Sequence, residues 1–462
     1  MSVRAGVAAG HASTAEAGAG ILRRGGSAAD AAVAMMLVSC AAETIYTGLS
    51  GGGFAVYFDA SSQQTTCVDF FVAVPGLDGG RAGTGVPIEV VFVGQQMPYE
   101  IGPPTVAVPG IPAGAQHLWR RWGRLDWADV VAPGREASLG TPFPATHAKL
   151  LPSVAQAMVV GDGVKVYRGP GGGLLQTGEQ LVHPDHHHAY DLLSEDPSSF
   201  YTGDYARAMV AAVAEGSALT TTDLAAYRVL ESTPRSVSFH GFTVLARGDD
   251  LDDVLATLGR AAAGVNADPL LSGASAQALV KALRGSERRA ETTNVVAVDA
   301  EGNACALTTS LGLGSGVWVP GYGVHLNSML GEGELIREVL QPGVRMGSMM
   351  SPLVAVDKAD RLVLAAGAAG GSRIRPALVQ AVLRMLTGST PQEAIDAPRL
   401  NAQPGVVRLE PGFSDEVLRH LQADGDEVLV AGGRDAYFGG VSAVSRLGGG
   451  ADPRRSGAVI ML

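Results

Sequence analysis

Thr292 and Ser310 stand at the two open ends of a segment that reads as a β-hairpin, and a threonine hydroxyl in such a place is a candidate nucleophile. The outgoing arm, Val295 to Val298, is β-branched and apolar, Ala300-Glu301-Gly302-Asn303 has turn chemistry, and Ala304 to Ser310 returns. A turn centred on Glu301-Gly302 pairs Ser310 with Thr293, and one bulged residue would set it opposite Thr292. Both registers bring a second hydroxyl beside Thr292. An enzyme that uses a threonine hydroxyl as nucleophile, with its own α-amine as base, needs such an arrangement.

The rest of the chain must position this hairpin. Residues 12 to 47 have helical periodicity, and residues 50 to 110 read as strands broken by glycine-proline turns. Residues 114 to 260 read as mostly helical, with Leu251 to Ala263 and Ala274 to Leu283 the last helices before the hairpin. Strands return at Leu353 to Val356 and Leu362 to Ala365, followed by helices at Pro376 to Thr387 and Pro391 to Ala397. No internal repeat or domain-separating linker is visible, so strand hairpins with segregated helices predict a single α+β unit.

Composition narrows the function classes. A chain of 462 residues with 46% apolar content can bury a large core. Its net charge of −11 argues against nucleic acid or an anionic membrane as partner. No apolar run approaches the roughly 20 residues that span a bilayer. The chain begins with no charged segment followed by an apolar one, which predicts a cytoplasmic protein. Cys40, Cys67 and Cys305 have no metal spacing and read as buried thiols. His186-His187-His188 are adjacent at a helix start and cannot all face one ion, so no metal and no cofactor are expected. Gly48 to Gly53 lacks the Gly-Lys-Ser/Thr ending of a phosphate loop and leads into a strand.

In order along the chain come Ile21-Leu22-Arg23-Arg24-Gly25-Gly26-Ser27-Ala28-Ala29-Asp30-Ala31-Ala32, Gly48-Leu49-Ser50-Gly51-Gly52-Gly53-Phe54, Val108-Pro109-Gly110 and Thr222-Asp223-Leu224. The hairpin follows, then Met350-Ser351-Pro352, Gly370-Gly371-Ser372-Arg373 and Ala451-Asp452-Pro453-Arg454. This ordered set resembles the γ-glutamyltranspeptidases, a family of N-terminal-nucleophile hydrolases, over most of the chain. The resemblance implies a four-layer αββα sandwich. It also implies a precursor that cuts itself between Glu291 and Thr292 into intertwined fragments 1–291 and 292–462, using no cofactor. The sequence does not fix the number of copies in the assembly.

By the same resemblance Thr292 is the nucleophile, Ser310 the assisting hydroxyl, and Gly370 and Gly371 the source of oxyanion-binding N–H groups. Glu332 and Asn327, in the segment Leu326 to Glu332, and Ser348 fall at or beside substrate-binding positions. The departures concern specificity. The family's carboxylate-gripping arginine is Phe71, its asparagine after the assisting hydroxyl is Gly312, its histidine after Thr-Thr is Asn294, and its second serine is Met349. Losing the arginine removes a bidentate fork and favours a more apolar or differently substituted acyl group; cephalosporin-acylase-like members of the superfamily show that such a change of substrate is possible. The expected activity is cleavage of a γ-glutamyl or related amide through an acyl-enzyme, with transfer to water or an amine. The competing reading is an uncut, inactive relative that binds a peptide-like ligand.

Overall fold

The computed structural model describes residues 2–92, 95–266, 268–284, 292–336 and 339–462. Its strands form two large antiparallel sheets, with smaller hairpins outside them. In chain order the strands of the large sheets are β1 (Gly6–Ala9), β2 (Gly52–Asp59), β3 (Gln64–Phe70), β4 (Leu230–Ser232), β5 (Arg235–Phe239), β6 (Phe242–Ala246) and β7 (Thr293–Val298). Then come β8 (Ala304–Ser310), β9 (Leu353–Val356), β10 (Leu362–Ala369), β11 (Gly440–Ser445), β12 (Gly448–Ala451) and β13 (Ala458–Met461). The first sheet runs β13-β1-β7-β8-β2-β3-β4 and the second β12-β11-β10-β9-β6-β5.

The sheets stack face to face, β7 and β8 lying over β10 and β11. Val56, Val296, Val298 and Ala306 from one sheet meet Val354, Ala365 and Val444 from the other. These strands are apolar on both faces because helices cover their outer sides as well. Helices α1 (Ala12–Arg23) and α2 (Ala28–Ala42) cover the first sheet. Helices α3 (Val254–Gly264), α4 (Gly273–Leu283) and α5 (Ile374–Leu386) lie on the side of the second, α3 against β5 and α5 against β10. Every residue of α2 is buried, which is why its sequence shows no amphipathic stripe: Ala, Met and Val pack all round. Ser27 and Asp30 close its N-terminus as a reciprocal capping box.

The mostly helical reading of residues 114 to 260 is corrected at its end, where β4, β5 and β6 supply an edge to each sheet. Short, exposed edge strands such as Leu230–Ser232 carry little periodicity to detect. The helix read from Leu251 begins at Val254, because Asp253 adopts φ +51° and caps it.

Candidate active site

The hairpin loop is five residues long, and this decides the register. Asp299 N–H donates to the Asn303 carbonyl at 3.0 Å, while the Asp299 carboxylate accepts from the N–H groups of Glu301 and Asn303. The turn is therefore centred on Glu301 itself, and Thr293 pairs with Thr309. Continued by one residue, this register sets Ser310 opposite Thr292 without a bulge.

Across the first sheet, Ser310 pairs with Gly52, and Gly53 pairs with Phe70, which carries Phe71 to the level of Gly52. One row thus reads Thr292, Ser310, Gly52, Phe71. A Cβ on Gly52 would lie 2.7 Å from Val72 N and 2.9 Å from Phe71 Cα, so the bare glycine lets the Phe71–Val72 backbone close against this end of β2.

Thr292 is 2% exposed, and its Oγ1 accepts a hydrogen bond from Gly370 N–H at 2.8 Å. Gly370 follows β10 with φ +123° and Gly371 has φ +62°, conformations that favour glycine and that turn the strand into α5. Ser310 Oγ accepts from Gly312 N–H at 3.0 Å. Gly312 has φ +70°, and a Cβ there would meet Glu332 Oε1 at 2.3 Å and Ser328 Oγ at 2.8 Å. Glu332, 1% exposed, is thereby packed against the end of β8.

Asn327 is spent on backbone groups. Its Nδ2 donates to the Ser50 and Ala107 carbonyls, and its Oδ1 accepts from the N–H groups of Ala107 and Met329. It straps the Glu332 segment to the glycine-rich turn before β2. Ser348 Oγ accepts from Met350 N–H, and its carbonyl accepts from Leu251 N–H. Glu291 lies outside the described residues. Among the described residues no group of three His, Cys, Asp or Glu is placed to hold a metal ion.

A model of the family described as Gamma-glutamyltranspeptidase matches residues 14–250 and 261–462. The chain belongs to this family. It is accordingly an enzyme, a γ-glutamyltransferase-like amide hydrolase. The Acylase ACY 1 proenzyme of Pseudomonas sp. (strain SE83) is 27% identical, over 91% of this chain and 87% of the relative. The Glutathione hydrolase proenzyme of Bacillus subtilis (strain 168) is 24% identical, over 98% and 91%. A cephalosporin acylase from Bacillus halodurans superposes with a TM-score of 0.80 at 22% identity, covering 100% of this chain and 96% of that one, so the fold is shared.

This γ-glutamyltranspeptidase relative differs from the family pattern in what lies at the Phe71 end of this row. Phe71 is 1% exposed and packs on Phe54 at 5.3 Å between ring centroids. Leu251, Met329, Met346, Met349 and Met350 belong to the same apolar cluster. A buried arginine reaches this region from β6: the Arg247 guanidinium lies 3.5 Å over the Phe54 ring. It is engaged by Asp249 and by the Met350 carbonyl, so it stands as a structural cation rather than an open fork. Asn294 donates to the Leu307 carbonyl and Thr308 Oγ1, and a Cβ on Gly367 would strike it at 2.0 Å.

Two charged residues beside Thr292 are not among the sequence-derived candidates. Glu43, just after α2, accepts from Thr293 Oγ1 at 2.6 Å and Thr14 Oγ1 at 2.9 Å. Burial pushes its carboxyl up to about 7. Arg455 lies 4.7 Å over the Tyr46 ring. A carboxylate ending a mostly apolar helix is the available signal for Glu43; Arg455 has none beyond its place after Asp452-Pro453-Arg454.

Proposed function

We propose that the chain cleaves itself before Thr292 and then acts as an N-terminal-threonine amidase on an amide whose acyl group is largely apolar. The Thr292 hydroxyl attacks the Glu291 carbonyl, and water hydrolyses the resulting ester to leave a new α-amine. That amine, with a reference pKa near 8, takes the hydroxyl proton when the same oxygen attacks a substrate amide. The acyl-enzyme passes its acyl group to water or an amine, with Ser310 assisting and the Gly370–Gly371 turn binding the oxyanion. The observation that carries this reading is the Gly370 N–H on Thr292 Oγ1 at 2.8 Å, which holds the hydroxyl in one orientation and sets the Gly370–Gly371 turn beside it.

The fragments 1–291 and 292–462 would stay together, because β1 is hydrogen-bonded between β7 and β13, both of the later fragment. Phe71 with its methionine neighbours supports an apolar acyl group; Glu332 at the end of β8 supports recognition of an amino group on the same substrate.

Intact mass and N-terminal sequencing of purified protein, wild type beside Thr292→Ala, test the first stage. Two fragments, the smaller beginning Thr-Thr-Asn-Val, with an uncut variant, are expected. An uncut wild type would overturn self-processing. Hydrolysis of a panel of anilides then tests the second, with aliphatic or aromatic acyl groups expected to exceed the γ-glutamyl one in kcat/KM.

A further inference from the structure

Thr292 and its neighbour Thr293 share a small cavity with two buried opposite charges, Glu43 and Arg455. Both charges are accommodated by bare glycines. A Cβ on Gly10 would lie 2.9 Å from Glu43 Oε2, and one on Gly440 would strike the Arg455 Cγ at 2.4 Å. The Arg455 guanidinium also flanks the oxyanion turn: a Cβ on Gly370 would meet its Nη2 at 3.1 Å. Glu43 therefore grips the residue after Thr292, and Arg455 packs on the residue whose N–H holds the Thr292 oxygen. Glu43 is 1% exposed and Arg455 4%, so little water screens either from the strand end between them.

We infer that Glu43 and Arg455 are positioning residues that bracket the new N-terminus and set the charge of the Thr292 α-amine, and with it the pH range of the enzyme. This inference rests on the self-cleavage proposed above. The base must be the neutral amine. The Arg455 cation disfavours the ammonium form, and the Glu43 carboxylate favours it. With its carboxyl near 7, Glu43 is itself partly neutral at neutral pH, which leaves Arg455 the stronger influence there.

The other carboxylates lining or adjoining the cavity have cationic partners, and its histidines favour the neutral form. Asp452 is paired with Arg399 and Arg454, and Asp435 with Lys149. Burial lowers His11, ahead of α1, and His147, which packs edge-on against Tyr46. Arg373 follows the glycine turn and lies 5.9 Å from the Tyr437 ring, a cation common to wild type and every variant compared below. Glu332 lies at the end of β8, beyond Ser310.

The test is the α-amine titration itself, read from the 15N shift of Thr292 in self-cleaved protein labelled with [15N]threonine. Against wild type, Glu43→Gln should lower the midpoint and Arg455→Gln should raise it, each by on the order of one pH unit. Arg455→Lys, which keeps the charge, should stay near wild type. Residues that were merely structural would leave all four midpoints together. Midpoints that do not move, or that move the same way in Glu43→Gln and Arg455→Gln, overturn the inference while leaving self-cleavage intact. A wild type with no fragment beginning at Thr292 overturns both. The Arg455 pair decides the matter if Glu43→Gln does not fold.

Discussion

Gly370 N–H and Thr292 Oγ1 meet at 2.8 Å although the two residues belong to different sheets and are 78 positions apart in the chain. The contact spans the interface between the sheets, so the stacking of β7 on β10 also fixes the Thr292 hydroxyl against the glycine turn. Gly370→Ala should break that alignment. Its φ of +123° is costly for alanine, and the Cβ would press on Gly439 Cα and Arg455 Nη2, both at 3.1 Å. Precursor cleavage and amidase kcat should fall by about 100-fold or more. A variant that cleaves at the wild-type rate would show that this donor is dispensable.

Gly312→Asn restores the residue type of the family pattern at a place this chain no longer accepts it. Asparagine tolerates φ +70°, but its Cβ would collide with the Glu332 carboxylate. The buried Glu332 must then move, costing roughly 1–3 kcal/mol by analogy with overpacked cores. Urea denaturation should report that loss; equal or greater stability would mean Glu332 has somewhere to go.

Arg399 is 2% exposed and bonds Asp452 at 2.6 Å, while Arg454 Nε bonds Glu410 at 2.6 Å. Asp452 Oδ2 in turn accepts from Val441 N–H, tying the network to β11. Arg399→Met leaves a buried carboxylate short of one partner. The expected loss is about 3–5 kcal/mol in guanidinium unfolding, against less than about 1 kcal/mol for removing the exposed Arg24–Asp129 pair.

Acid should destabilise the protein partly through buried histidines. Burial lowers His183 to about 4 and His325 to about 3, from an unfolded value near 6.5. Below that value the unfolded chain binds protons that the native imidazoles refuse, so stability falls with pH until the folded values are reached. Glu43 works the other way, since its raised carboxyl takes a proton in the native state first. The comparison of wild type with His325→Gln isolates one histidine. Glutamine can accept the Gly316 N–H that His325 Nε2 now accepts at 2.8 Å. The slope of unfolding free energy between pH 6 and 4 should flatten by about 1.4 kcal/mol per pH unit. Parallel curves would exclude the histidine.

The hairpin shows how far local reading goes. Both of its arms are legible, Ala304 to Ser310 to the residue, because β-branched runs and a Gly302-Asn303 turn act over short distances. Sequence alone allows two registers, and the five-residue loop closed by Asp299 corrects the turn centre to Glu301, facing Ser310 with Thr292 without a bulge. The strands at 230–246 carry little signal of their own because an edge strand takes its identity from the partner it pairs with, here Cys67 to Asp69 for β4 and Phe242 to Ala246 for β5. Asn327 stands in the right segment, but only the fold shows all its polar atoms spent on backbone.

The sequence by itself determined the class, the family and the hairpin with a hydroxyl at each open end, since those follow from short-range periodicity, turn chemistry and ordered motifs. Tertiary structure decided what surrounds them. Phe71 became the wall of an apolar cluster, Glu332 took the space that Gly312 vacates, and Glu43 and Arg455 converged from opposite ends of the chain on Thr292. The reason is physical: burial and Coulomb interaction act through space, and residues 43, 292 and 455 have no relation until two sheets stack and bring them to one cavity.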